Sequence, residues 1–68
     1  MNIFYNDKTD LLYVRFDDEK HEIVNKRVSD DIVVDIAENG KIIGIEIMNA
    51  SKVIPLENVL PLRFENVK

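Results

Sequence analysis

Sixty-eight residues suffice for one domain, residues 1–68, and a chain of that size buries only about 60% of the surface it exposes when unfolded, so it needs reinforcement. The absence of cysteine and the presence of a single histidine, His21, exclude disulfides and thiolate- or histidine-rich metal sites, which leaves a second copy or a small protein partner as the expected reinforcement. A net charge of −4, with Lys26-Arg27 the only adjacent basic pair and Asp30-Asp31 close behind it, excludes the basic stripe that a phosphate backbone requires, so direct nucleic-acid binding is not expected.

The apolar fraction of 46% is ordinary for a folded domain. No basic start followed by an apolar run is present, and no stretch is long enough to span a bilayer. The chain reads as cytoplasmic, with no membrane partner.

In chain order, Ile3 and Tyr5 alternate with Asn2, Phe4 and Asn6, and Leu12, Val14 and Phe16 alternate with Leu11, Tyr13, Arg15 and Asp17. A four-residue loop, Asp7-Lys8-Thr9-Asp10, predicts a hairpin with Tyr5 opposite Leu12 and Ile3 opposite Val14, its turn nucleated by Asp7 bonding its own backbone. Residues 21–28 read as a polar edge strand, with Lys26 and Arg27 discouraging further pairing.

The strongest local signal is central. Ile32-Val33-Val34-Asp35-Ile36-Ala37 and Ile42-Ile43-Gly44-Ile45-Glu46-Ile47-Met48 flank Glu38-Asn39-Gly40-Lys41. Asn-Gly is the favoured pair for a two-residue type I′ turn, because both central residues take positive φ. That turn, with tip residues Asn39 and Gly40, sets Glu38 against Lys41, Ala37 against Ile42 and Ile36 against Ile43. Further along it sets Val34 against Ile45 and Ile32 against Ile47. One face then collects Ile32, Val34, Ile36, Ile43, Ile45 and Ile47, and a one-residue slip would scatter them.

In the C-terminal segment, Pro55 suits the first turn of a short helix presenting Leu56, Val59 and Leu60, which Pro61 ends, and residues 62–66 read as a return strand. This covering segment, residues 53–68, is expected to shield the isoleucine face. The expected fold is α+β: a small antiparallel sheet of about five strands, built of two hairpins plus an edge strand, with a short C-terminal helix.

Tyr5-Asn6-Asp7-Lys8-Thr9-Asp10-Leu11-Leu12-Tyr13-Val14-Arg15-Phe16 resembles the opening motif of domain-of-unknown-function family 2283. The block from Ile32 to Ile47, followed by Met48-Asn49-Ala50-Ser51-Lys52, is similar to the rest of that family's core, about residues 4–52 here. Asn39-Gly40 stands where the family often has Asp-Gly, which the same turn accepts. The resemblance implies a short protein of bacterial or archaeal type with no catalytic residues to carry over. Such proteins are sometimes encoded beside small toxin-like proteins, which suits an antitoxin-like or partner-binding role.

Candidate chemistry is sparse. Asp35 and Glu46 share a face of the central hairpin, and paired carboxylates do acid–base work when their surroundings separate their pKa values. Tyr13 and Arg15 fall on the corresponding face of the first hairpin, so Tyr13, Arg15, Asp35 and Glu46 are expected to form a structural polar cluster in which Arg15 bridges one of the acids. Asp17-Asp18-Glu19 with His21 and Glu22 offers oxygen ligands, but lacks the glycine bend and terminal bidentate acid of a calcium loop and reads as a solvated turn. Ser51, with no base near it, reads as a turn or capping residue rather than a nucleophile. No catalytic residue, metal or cofactor is expected.

The expected function is therefore a protein-interaction module without catalysis, as an antitoxin-like partner of a small basic protein. The contrasting reading is a small acid-dependent or metal-dependent enzyme built around Asp35 and Glu46. The apolar content of the outer sheet face, with Phe4, Leu11, Tyr13, Val33, Ala37 and Ile42 beside Arg15, Asp35 and Glu46, exceeds what one short covering segment hides, and predicts a homodimer.

Overall fold

The alternating segments of the sequence become five strands in the computed structural model, which describes residues 1–58. These are β1 (Asn2–Asn6), β2 (Leu11–Arg15), β3 (Ile23–Arg27), β4 (Ile32–Ala37) and β5 (Ile42–Ile47), followed by a single helical turn, α1 (Ala50–Val53). All pairings are antiparallel, and the order across the sheet is β1-β2-β5-β4-β3. The fold is the expected small α+β arrangement: a β1–β2 hairpin lies against a β3–β4–β5 meander, joined along β2 and β5. Among the described residues no helix is long and apolar enough to cross a membrane.

The first hairpin has the register its alternation demands, with Ile3 opposite Val14 and Tyr5 opposite Leu12. Its turn is built differently from expectation. The side chain of Asn6, not that of Asp7, accepts the backbone N–H groups of Lys8 and Thr9 at 2.9 and 3.3 Å. Asparagine and aspartate perform this task equally well, and Asn6 sits at the loop entrance.

The central hairpin departs from expectation at its tip. Gly40 N–H donates to the carbonyl of Ala37, and Ala37 N–H donates to the carbonyl of Lys41, each at 2.9 Å. The loop is thus Glu38, Asn39 and Gly40, three residues rather than two. Only Gly40 has positive φ, at 85°, while Asn39 uses its side chain to accept the Lys41 N–H at 3.0 Å. A three-residue loop ending in a left-handed glycine is the next commonest hairpin connection. Ala37 rather than Glu38 therefore faces Lys41, and Ile36 pairs with Ile42 rather than Ile43.

Carried down the strands, that register would turn the isoleucines to the wrong side. A β-bulge prevents it: Ile43 is an extra residue on β5, after which Asp35 pairs with Gly44, Val34 with Ile45 and Ile32 with Ile47, as the hydrophobic pattern requires. Ile43 is buried, 3% exposed, whereas Ile42 shares Ile36's side of the sheet and is 53% exposed. Ile42 thus leaves the outer face to which strict alternation assigns it.

The second layer attaches at one corner. Leu12, Ala50 and Leu56 form its buried core, with Ile3, Tyr5, Ile47 and Ile54 packed against them. Helical structure begins earlier than the sequence indicates, at Ala50, and resumes at Leu56 after Pro55. Of the expected C-terminal features, Val59, Leu60, the stop at Pro61 and the strand over 62–66 lie outside the described residues.

The attachment is polar. Asn49, which precedes α1, has φ 53° and offers it no side-chain cap. Asp10, itself left-handed at φ 57°, caps the turn from the far hairpin. Its carboxylate accepts the Ser51 N–H at 3.0 Å, the Ser51 hydroxyl at 2.7 Å and the Tyr5 hydroxyl at 2.8 Å, and its carbonyl accepts the Ala50 N–H at 2.9 Å. These bonds, led by that from the Ser51 hydroxyl, hold the Asp10 carboxyl below the usual carboxylate range.

The loop assignment predicts that Gly40→Val destabilises the domain by about 1–3 kcal/mol, because a β-branched residue resists positive φ. Thermal unfolding followed by circular dichroism should show a clearly lower midpoint, while Asn39→Ala, which removes only one exposed hydrogen bond, should shift it less.

Candidate functional site

The sheet face opposite α1 carries the polar cluster. Two rows of cross-strand neighbours run over all five strands: Asn2, Arg15, Gly44, Asp35 and Asn25 in one, and Phe4, Tyr13, Glu46, Val33 and Arg27 in the next. Gly44 contributes no side chain, and Tyr13 fills the gap diagonally. Its hydroxyl donates to Asp35 Oδ2 at 3.0 Å, while Asn25 Nδ2 donates to Asp35 Oδ1 at 3.2 Å. Asp35 is only 4% exposed, and both its oxygens are occupied, which a buried carboxylate requires.

Glu46 lies beside Asp35 and is half-buried. Its burial, then the charge of Asp35 and a hydrogen bond to it, push the Glu46 carboxyl above the usual range. A carboxyl raised in this way is what a general acid needs. Yet Asp35 offers no accessible oxygen to a reactant, since Tyr13 and Asn25 hold both.

Arg15 does not bridge to either acid. Its guanidinium turns into the loop after β2, where Nε donates to the Asp17 carbonyl at 2.6 Å and Nη2 to the Glu19 carbonyl at 2.9 Å. Nη1 reaches only the Tyr13 hydroxyl, at 3.5 Å. The fork geometry of arginine favours two carbonyls presented by one tight loop over a carboxylate already saturated by neutral donors.

That loop forms a second cluster. His21 Nε2 lies 2.8 Å from Asp17 Oδ2, and Nδ1 lies 3.1 Å from Glu38 Oε1 in the β4–β5 loop. Both contacts are donor contacts only when the ring is protonated, and the Asp17 and Glu38 bonds accordingly raise the His21 pKa above its ordinary 6.5. The Asp17 carboxyl is lowered, chiefly by the Glu19 N–H and then by His21. Ligand atoms of Asp17, Glu19 and His21 lie within 4.8 Å of one another, so these three residues could approach one divalent ion. Asp18 turns away, accepting Asn2 Nδ2 at 2.6 Å, and Glu22 is not in the group. A divalent ion there would displace the His21 proton beside the Arg15 guanidinium.

Ser51 lies in α1 with both its N–H and its hydroxyl on Asp10, and so serves the cap rather than a reaction. Sequence places His21 with Asp17 and Glu19 but not with Glu38, and does not bring Asn25 to Asp35. A register for β3 would have revealed two of these contacts, since Ile23 pairs with Ala37 and Asn25 with Asp35, which brings His21 to the β4–β5 loop.

A family model described as a protein of unknown function (DUF2283) matches residues 2–51, which takes in all five strands and the Asp10–Ser51 attachment. The chain belongs to this family. No curated protein and no solved structure matches it. The family description assigns the DUF2283 domain no activity.

Gly44 supplies one prediction. A Cβ there would meet the Tyr13 hydroxyl at 2.7 Å and Asp35 Oδ2 at 3.0 Å. Gly44→Ala gains about 0.5–1 kcal/mol in backbone entropy but breaks the Tyr13–Asp35 bond, leaving a buried carboxylate short of a donor at about 1–3 kcal/mol. The net effect is a lower unfolding midpoint, and Tyr13→Phe with Gly44→Ala should be less than additive.

His21 supplies another. Its folded-state pKa is raised, so its contribution is fully present below 6.5 and is lost as pH rises through the folded-state value. Melting curves from about pH 6 to pH 9 should show the wild-type midpoint declining, and His21→Gln should flatten that part of the profile.

Proposed function

We propose that this DUF2283 domain is a homodimeric protein-interaction module, without catalysis, whose free surface docks an extended segment of a small basic protein in the manner of an antitoxin. The observation that carries the reading is β3. All five of its residues are exposed, and among the described residues it pairs only with β4. Val24, 68% exposed, continues through Ile36 to Ile42, 53% exposed, on one side of the sheet, and Val28 extends the strand's apolar edge.

Such an edge accepts a strand by main-chain hydrogen bonds, with side-chain pockets supplying specificity. Lys26 and Arg27 on the strand deter a second β3, whereas Glu22, Glu38, Asp30 and Asp31 bracket the edge and the net charge of −4 adds long-range attraction, so a basic partner's charges fall on the flanks rather than beside Lys26 and Arg27. The paired carboxyls of Asp35 and Glu46 favour the enzyme reading, but a buried carboxylate with both oxygens held is a poor base or nucleophile, so the cluster is assigned to structure.

The test expresses this chain together with small basic proteins encoded beside it and asks whether a pair co-purifies at low salt. Val24→Asp or Ile42→Asp, each checked for retained circular dichroism, should weaken the complex at least tenfold. Raising the salt should slow association more than it speeds dissociation. Asp35→Asn and Glu46→Gln should leave the affinity within about twofold. Failure of the pair to associate, or indifference to both β3-side substitutions, would overturn the reading.

A further inference from the structure

The two sheet edges are not alike. β3 ends on Lys26 and Arg27, which guard it against like strands, whereas β1 carries no charge, proline, glycine or bulge. Its five residues, Asn2-Ile3-Phe4-Tyr5-Asn6, hold an unbroken register with β2, and among the described residues nothing pairs on the outer side. Phe4, at the strand's midpoint, is 56% exposed and stands directly across from Tyr13. A straight, uncharged edge with an exposed aromatic at its centre is the kind that other chains extend.

The strand's pattern is also symmetric about Phe4 in character: Asn2 and Asn6 are identical, and Ile3 and Tyr5 are both apolar residues packed on the core face. We propose that two copies of this chain join β1 to β1 antiparallel about a two-fold axis at Phe4, forming one continuous ten-stranded sheet. This inference rests on the homodimer reading above and names its surface and register.

That axis sets Phe4 against Phe4 of the second copy, Ile3 against Tyr5, and Asn2 against Asn6. The first two pairs, aromatic with aromatic and aliphatic with aromatic, are favourable across antiparallel strands, and the third sets two amides side by side whose Asn2 Nδ2 and Asn6 Oδ1 are already held within each copy. No like charges face each other within the five pairs, and one residue beyond them Asp7 falls opposite Met1. The same operation on β3, about Asn25, brings Lys26 of each copy within diagonal reach of the other. A two-fold axis normal to the sheet keeps each copy's α1 on the same side, where Ile3 and Tyr5 already pack against the core of Leu12, Ala50 and Leu56. Self-complementarity argues for a second copy rather than a dissimilar protein, because an isologous interface repeats one patch.

The chain has no cysteine, so a single engineered one reports its own neighbour. Light scattering on the wild type should give twice the 7.9 kDa chain mass. Under mild oxidant, Phe4→Cys should convert mostly to a disulfide-linked dimer, because the two sulfurs face each other at the axis, while Val24→Cys on β3 should stay largely uncrosslinked. Phe4→Lys, with its circular dichroism and melting profile checked, should weaken self-association at least tenfold by setting two ammonium groups face to face. A monomer mass for the wild type overturns both the dimer and this register. A dimer that crosslinks through Val24→Cys and not Phe4→Cys, or that survives Phe4→Lys, overturns the register and leaves the dimer standing.

Discussion

The second layer of this domain hangs on the carboxylate of Asp10. A one-turn helix has no stability of its own, since nucleation costs more than a few hydrogen bonds return. Here α1 begins at an uncapped, left-handed Asn49, and the missing acceptor comes from a hairpin 41 residues away in sequence. The same carboxylate binds the Tyr5 hydroxyl, so one group fixes both the helix and the β1 side chain beneath it. Only with that turn in place do Ala50 and Leu56 close over Leu12, which is 1% exposed.

Much of the sheet was legible because alternation is an unambiguous signal. Ile3, Tyr5, Leu12 and Val14 could be paired from their spacing alone, and so could Ile32, Val34, Ile45 and Ile47. The tip of the central hairpin was not legible. Asn39-Gly40 fits a two-residue turn, but it fits equally the end of a three-residue one, and the two differ by a single step of register. The structure takes the longer loop and then restores the core register with the extra residue Ile43. Turn chemistry and hydrophobic pattern therefore disagree here by one residue, and burial prevails. Strict alternation cannot foresee a bulge, which is why Ile42 was assigned to the wrong face.

The polar cluster was legible only as a neighbourhood. Tyr13, Arg15, Asp35 and Glu46 do share one face, but their partners depended on details invisible in the chain. Charge favoured an arginine–carboxylate pair, whereas Tyr13 crosses the bare backbone of Gly44 to reach Asp35 first. Arg15 then finds carbonyls in the loop that follows its own strand. Asn25 and the His21–Glu38 contact were missed for a common reason: β3 mixes apolar and polar residues on each face, Ile23 with Asn25 and Arg27 and Val24 with Lys26, so its composition does not fix its register against β4.

The junction between β2 and β5 carries a kinetic consequence. Every other strand pair joins neighbours in sequence across a short loop, and such hairpins close within microseconds. Leu12 meeting Ile47 and Val14 meeting Ile45 must instead bring together segments separated by the whole β3–β4 excursion. Loop-closure entropy concentrates in that one encounter. The β1–β2 hairpin and the β3–β4–β5 meander are each closed by local contacts, so the entropic cost of ordering the chain is greatest where their edges meet.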